Sequence, residues 1–291
     1  MKFGHHQSFY LRVNWLSKAM KMRNEDPQFF FDEFSFERIG LGRNMVKSLR
    51  YWAVATSVME EAKNEERKSY HQLTEFGRLV FDNDRFIRLP LTAAVLHCLL
   101  ASNREQATSW YWFFNEHSHH SSTNEEMLAA LSEWVGQHHN REVSVNTLKR
   151  DLDCLKLMYT VQAGSEDDPE EIVASPLSGL KLLYDIREQF VKRNPEPNLI
   201  DLDALYFNLL YYCGKYEVNS LTLEEIQVKP MLWGKLFHLS SNQILEYLEL
   251  LHADTLYPVK FVRTNQIYSL NIDVENAYVF LQNAYARKAA Y

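Results

Sequence analysis

The stretch LGRNMVKSLRYWAVATSVM, residues 41–59, reads as a helix entered through a glycine turn. Gly40 and Gly42 permit a tight turn around Leu41, and Asn44 is placed to cap the helix after it. Met45, Leu49, Trp52 and Thr56 recur at helical spacing and predict a buried stripe, while Arg43, Lys47 and Arg50 recur on another face. One apolar and one basic side after a short turn fit the recognition helix of a winged helix-turn-helix, whose early residues reach the major groove. The expected DNA contacts on this helix are Arg43, Asn44, Lys47, Ser48 and Arg50.

Downstream, Lys63-Asn64-Glu65-Glu66-Arg67-Lys68 is a charged turn, and Tyr70 to Thr74 returns as a strand, with Thr74 capping a helix that begins at Glu75. Such a hairpin is a wing, although an ordinary β-hairpin accounts for the same residues. Upstream, Phe9, Leu11, Val13 and Trp15-Leu16 suggest an extended entry into a helix carrying Ala19-Met20. Ahead of it stands Gly4-His5-His6, with Arg12 close behind. A histidine with an arginine can assist phosphodiester chemistry through proton transfer and charge stabilisation, which makes His5, His6 and Arg12 the catalytic candidates. The simpler role for the segment is to anchor the N-terminus against the first helical unit.

The remainder repeats this logic. Few glycines and prolines, 9 and 8, with periodic Leu, Met, Ala and Glu, predict a mainly α chain with short β-hairpins, an α+β class of tandem winged helix-turn-helix-like units. The acidic stretch Gly164 to Glu171 and the segment Arg193 to Asn198 read as loops, giving expected units 1–84, 85–195 and 196–291. In the middle unit, Thr123 caps a helix from Glu125 to Leu131. A second helix then places Val145, Leu148, Leu152 and Leu155 inside, and Asn146, Lys149, Arg150 and Asp153 outside. Asn146, Lys149 and Arg150 join the expected DNA contacts, with a solvated helix face as the plainer alternative. Trp110 to Phe114 suits a buried helix between units, although exposed rings of this kind stack on bases. The last unit has helices over Ala204 to Tyr212 and Asn242 to Leu251, then strands over Pro258 to Arg263 and Gln266 to Leu270 around Thr264-Asn265. Glu246 and Glu249 make its helix acidic and suited to protein contact.

The net charge of −7 over 291 residues means that any nucleic-acid contact must come from local patches. Cys98, Cys154 and Cys213 lie among apolar neighbours with no CxxC spacing, which predicts buried thiols rather than a disulfide framework or a zinc ribbon. His117 with His119-His120, and His138-His139, are expected on exposed polar loops. The N-terminal residues lack a secretory pattern and no apolar run spans a bilayer, so a cytoplasmic protein without membrane partners is expected. No P-loop, GxGxxG, HExxH or GxSxG pattern occurs, and no nucleotide cofactor is expected. A divalent ion such as Mg²⁺ or Mn²⁺ would need clustered carboxylates, for which Glu60-Glu61, Asp82 and Asp84 are available.

Five separated motifs then occur in order: Gly4-His5 to Trp15-Leu16, Leu41 to Trp52, Leu73-Thr74-Glu75-Phe76-Gly77, Trp110 to Asn115, and Asn146 to Asp151. Together they resemble domain of unknown function family 4007 over most of the chain. The resemblance implies a DNA-binding protein of a DNA phosphorothioation and phage-defence system, a nickase that opens one strand so that sulfur enters the backbone. It also implies partners: double-stranded DNA, a cysteine desulfurase, an ATPase and a sulfur-activating protein. A homodimer suits two-fold recognition of a duplex. A non-catalytic adaptor or regulator that recruits the modification enzymes is the alternative. The family pattern reads closer to Gly-His-Glu-Thr-Phe where this chain has Gly4-His5-His6-Gln7-Ser8-Phe9, so an acidic position is absent here.

Overall fold

The computed structural model describes residues 1–160, 174–187, 189–264 and 267–290. The acidic stretch Gly164 to Glu171, and Asn265 and Gln266 of the C-terminal hairpin, lie outside them. The first unit runs through α1 (Trp15–Glu25), a 3₁₀ turn at Phe29–Phe31, α2 (Ser35–Ile39), α3 (Arg43–Ala55), β1 (Met59–Lys63), β2 (Ser69–Leu73) and α4 (Glu75–Asn83). α3 starts directly after the glycine turn, and Val46, Leu49, Trp52 and Ala53 form its buried face. Its cap position is Gly42, in extended backbone, with no side chain capping the helix. Asn44 instead sits inside the first turn and is exposed. β1 and β2 form an antiparallel hairpin with Met59 opposite Leu73, and Thr74 caps α4 by accepting from Gly77 N at 2.9 Å. Gly77 is required there, because an added Cβ would lie 1.9 Å from the carbonyl oxygen of Val58.

The middle of the chain contains α5 (Pro90–Ala101), α6 (Thr108–Tyr111) running into a π-helical turn at Trp112–Glu116, β3 (Ser121–Thr123), α7 (Asn124–His138), α8 (Val145–Tyr159), β4 (Leu183–Ile186) and β5 (Gln189–Lys192). The last part contains α9 (Leu202–Tyr216), β6 (Ser220–Thr222), α10 (Leu223–Val228), α11 (Trp233–Leu236), α12 (Ser241–Ala253), β7 (Val259–Thr264), β8 (Ile267–Ile272) and α13 (Ala277–Ala289).

Two sheets share one plan. Their strand orders are β3-β5-β4 and β6-β8-β7, so in each a short first strand pairs with the second strand of a later hairpin. The entry to both is built from matching residues. Ser121-Ser122-Thr123 and Ser220-Leu221-Thr222 each bury their central side chain, opposite Phe190 and Leu270 respectively. Thr123 with Glu126, and Thr222 with Glu225, then close reciprocal capping boxes that start α7 and α10. The arrangement is α+β, with helices dominating and β-structure confined to small antiparallel sheets.

A continuous set of buried apolar side chains runs through all these parts. α5 is its axis, since Leu91 through Ala101 are all buried, as expected for a helix apolar on every side. The aromatic run packs beside it, with Trp110, Trp112, Phe113 and Phe114 each no more than 2 % exposed. Burial at that level stabilises by roughly 2–3 kcal/mol per large side chain. Asn115 ties the pieces together: its amide donates to Ala101 O and Tyr111 O, and its oxygen accepts from Met231 N. Farther out, the hydroxyls of Thr92 and Tyr285 meet at 2.9 Å. All three cysteines are free and buried. His117 departs from expectation: it is buried, its Nε2 lying 3.2 Å from Ser122 Oγ, because the turn after the aromatic run folds it back over Trp112. Among the described residues no helix is long and apolar enough to cross a membrane.

Candidate nucleic-acid interface

The N-terminal segment makes a tight loop over α3 and α8. Gly4, Gln7 and Ser8 all take positive φ, at 69°, 51° and 64°. For Gln7 and Ser8 that backbone is strained, and such strain persists only where the surroundings over-determine it. Here the restraint is Asp151, buried on α8. Its Oδ1 accepts from Gly4 N at 2.8 Å and lies 2.7 Å from His6 Nε2, while its Oδ2 accepts from Ser109 Oγ at 2.6 Å. The other ring nitrogen of His6 accepts from Ser8 N at 3.1 Å and lies 3.0 Å from Cys154 Sγ. Gly4 is fixed in turn by α8, because a Cβ there would fall 2.7 Å from Thr147 Cγ2. The segment is therefore an anchor, and it reaches past the first helical unit to α8.

This anchoring separates the candidate residues. His6 is fully buried, stacked on Trp52 and edge-on to Trp110, so its side chain serves the loop. Arg12 packs its guanidinium 5.5–5.7 Å from the rings of Phe9, Tyr10 and Trp15. Ser48 is fully buried, and its hydroxyl donates to Phe9 O at 3.2 Å, so it is spent on docking the segment against α3. Trp52 Nε1 donates to the same carbonyl at 2.8 Å. Arg43, Asn44 and Lys47 are exposed on α3, as are Asn146, Lys149 and Arg150 on α8. Arg150 folds back on its own helix, donating to Asn146 O and Thr147 Oγ1. Val145, expected inside, is 58 % exposed, because α8 begins there and its buried face starts one turn later at Leu148.

His5 is turned the other way. It stacks on Tyr51 of α3, ring centroids 6.1 Å apart, and lines a recess of about 420 Å³ together with Lys2, Lys47 and Arg50. Burial, then the neighbouring Lys2 charge, holds the His5 pKa below its ordinary value. The recess contains one carboxylate, Glu61 of β1, which pairs with Arg50 at 2.9 Å. Tyr51 forms the floor, its hydroxyl donating to Gln106 O at 3.0 Å. A second recess of about 300 Å³ shares Lys47 and Arg50 and opens between α2 and α3. Sequence reasoning did not find Lys2, Tyr51 or Asp151, and it offered Glu61 only as a carboxylate for a divalent ion, where the structure pairs it with Arg50. Asp151 carried a signal, as an acidic residue beside Leu152 in the apolar stripe of α8. Tyr51 and Glu61 meet His5 only through contacts between distant segments, which leave no local pattern.

Mg²⁺ prefers oxygen ligands, commonly one or two carboxylates with substrate phosphates. Among the described residues no group of three or more His, Cys, Asp or Glu converges to hold a metal. Glu61 is paired with Arg50, Glu60 accepts from Gln72, and Asp84 accepts from the backbone of Arg88 and Leu89. Among the described residues the side chains do not assemble a protein-ligated divalent site.

Among curated proteins none matches this chain. Two solved structures share its fold over 100% of its length and 89% of theirs: the SspB crystal structure, at 20% identity and TM-score 0.88, and the magnesium ion-bound SspB crystal structure, at 21% identity and TM-score 0.89. A family model described as a protein of unknown function, DUF4007, matches residues 3–285. That span begins at Phe3, ahead of the His5 loop, and ends at Tyr285 on α13, so the chain belongs to the DUF4007 family.

Proposed function

We propose that the protein binds DNA within a phosphorothioation and phage-defence system and nicks one strand so that sulfur can enter the backbone. The observation that carries this reading is the recess in which Lys2, His5, Lys47 and Arg50 converge. Lys2 and Lys47, with Arg50 paired to Glu61 beside them, leave net positive charge at one opening that suits a phosphodiester, and Arg43 extends the positive edge along α3. The His5 ring, its pKa lowered by burial and Lys2, is neutral at pH 7 and suited to accept a proton. In the reaction a water oxygen bonds to phosphorus as its proton passes to His5. One P–O ester bond breaks, and the leaving oxygen takes a proton from water.

In this reading the three helix-and-hairpin units act as winged helices, with α3 the recognition helix and the β1–β2 hairpin its wing. Asn44 and the exposed Asn146, Lys149 and Arg150 of α8 add contacts on the far side of the anchored loop. Kinship of fold with SspB and membership of DUF4007 support placement beside a cysteine desulfurase, an ATPase and a sulfur-activating protein, with a homodimer on duplex DNA. A second reading, an adaptor that recruits those enzymes, draws on the burial of His6 and the packing of Arg12 among rings, which leave His5 as the catalytic candidate lining the recess.

Supercoiled plasmid incubated with the purified protein and Mg²⁺ or Mn²⁺, with and without EDTA, separates these readings. Conversion to the open-circular form, with EDTA as well as without it, is the result expected of the His5 route. Binding without conversion selects the adaptor, and absence of binding contradicts both.

A further inference from the structure

The recess between α2 and α3 has a chemistry distinct from its neighbour. Its walls are aromatic, from Phe30 and Phe36, and its rim carries Arg43, Lys47 and Arg50. Arg43 lies over the Phe36 ring at 4.4 Å. Arg43 and Lys47 form no ion pair among the described residues, so their charge remains available. Two carboxylates also line it, and they are not equivalent. Asp32 is engaged: one oxygen accepts from Phe34 N at 2.9 Å and the other from Arg38 at 3.1 Å. Glu33 is exposed and has no partner among the described residues.

A guanidinium plane backed by the Phe36 ring, unpaired cations and one free carboxylate are complementary to a single nucleotide of a polynucleotide strand. Stacking against Phe and Arg planes holds an unstacked base, cations hold its phosphates, and a carboxylate accepts from an exocyclic amino group. We infer that this recess receives one base extruded from the duplex, and that Glu33 selects bases with an exocyclic amino group, namely cytosine, adenine or guanine, over thymine. A carboxylate discriminates by charge: thymine presents two carbonyl oxygens flanking its single N–H, and these repel Glu33. The shared Lys47 and Arg50 place the base recess beside the His5 recess. The inference rests on the proposed DNA binding and adds a specificity determinant to it.

The test uses the full-length protein and fluorescent duplexes that carry one bulged nucleotide: cytosine, adenine, guanine, thymine or an abasic spacer. The wild type is expected to bind the three amino-bearing bulges about tenfold more tightly than the thymine and abasic bulges, the difference made by one hydrogen bond to a charged group. Glu33→Gln, at an exposed position, should erase that preference while keeping the affinity for the abasic duplex. Equal affinity of the wild type for all five bulges, or a preference that Glu33→Gln retains, overturns the inference and leaves DNA binding standing. Failure to bind any of the duplexes overturns the DNA-binding reading, and this inference with it.

Discussion

The Nε2 of His6 lies 2.7 Å from the Oδ1 of Asp151, and both side chains are at most 2 % exposed. Residues 145 positions apart thus share one buried polar contact, and the same carboxylate holds Gly4 N and Ser109 Oγ. A carboxylate with so many donors is costly to remove, because each donor is left buried without a partner. Asp151→Ala is expected to destabilise the protein by roughly 3–5 kcal/mol, measured by urea denaturation. It should also free the N-terminal loop to proteolysis. A loss below about 1 kcal/mol would show that the contact does not restrain the loop.

His5 is presented to the recess by that loop while its neighbour His6 is consumed in holding it. His5→Ala should therefore lower nicking by roughly 10²-fold or more, with little change in DNA affinity. In the wild type, burial and Lys2 hold the His5 pKa below 6.5, and in the proposed reaction it is the neutral ring that accepts the proton. Nicking should rise with pH through a limb centred below 6.5 and level off above it. A rate that falls across that limb, or a His5→Ala variant that nicks normally, would remove His5 from the chemistry.

Three buried histidines make stability sensitive to acid. His71, His97 and His117 are each held down to about 4 by burial. His97 illustrates the cause: its Nε2 must donate to Leu236 O, which leaves Nδ1 to accept from the Tyr159 hydroxyl, so the neutral ring satisfies both. His71 lies near Arg50, and His117 near Lys192 and His119, whose charges act in the same direction. In the unfolded chain these rings take up protons near 6.5, so between 6.5 and about 4 the unfolded state binds more protons. Their contribution is complete above 6.5 and is lost as pH falls through that window. Urea midpoints should decline from pH 7 to pH 5, and a flat or rising profile would contradict the assignment.

Gly77 carries the hairpin onto α4 where its backbone touches Val58 O, and Thr74 Oγ1 donates to Ser57 O beside it. Gly77→Ala has no room for its methyl group and should cost about 1–3 kcal/mol in a thermal or urea melt. An unchanged melt would mean that the hairpin shifts freely against the helix.

Much of this architecture was legible as local pattern. The periodicity of residues 45–56, the Thr74 and Thr123 caps, the charged turn at residues 63–68 and the C-terminal strands all rest on interactions within a few residues. The candidate recess was legible only on one side. Arg43, Lys47 and Arg50 declared themselves by helical spacing, but Ser48 shares their helix and is buried, because a segment 39 residues upstream docks on it. The division of labour between His5 and His6 was invisible for the same reason. It is decided by Asp151 and Tyr51, residues that a one-dimensional reading cannot bring to the loop.

Whether α3 faces DNA is decided by the salt dependence of duplex binding, read by fluorescence anisotropy, for the wild type and for the charge reversal Arg43→Glu/Lys47→Glu/Arg50→Glu. Each phosphate contact contributes about −0.9 to the slope of log K against log salt. A DNA-facing α3 gives a steep negative slope for the wild type, and loss of binding at low salt for the variant while its circular dichroism spectrum stays unchanged. Equal low-salt affinity of the two proteins would refute this placement and remove α3 from the DNA interface.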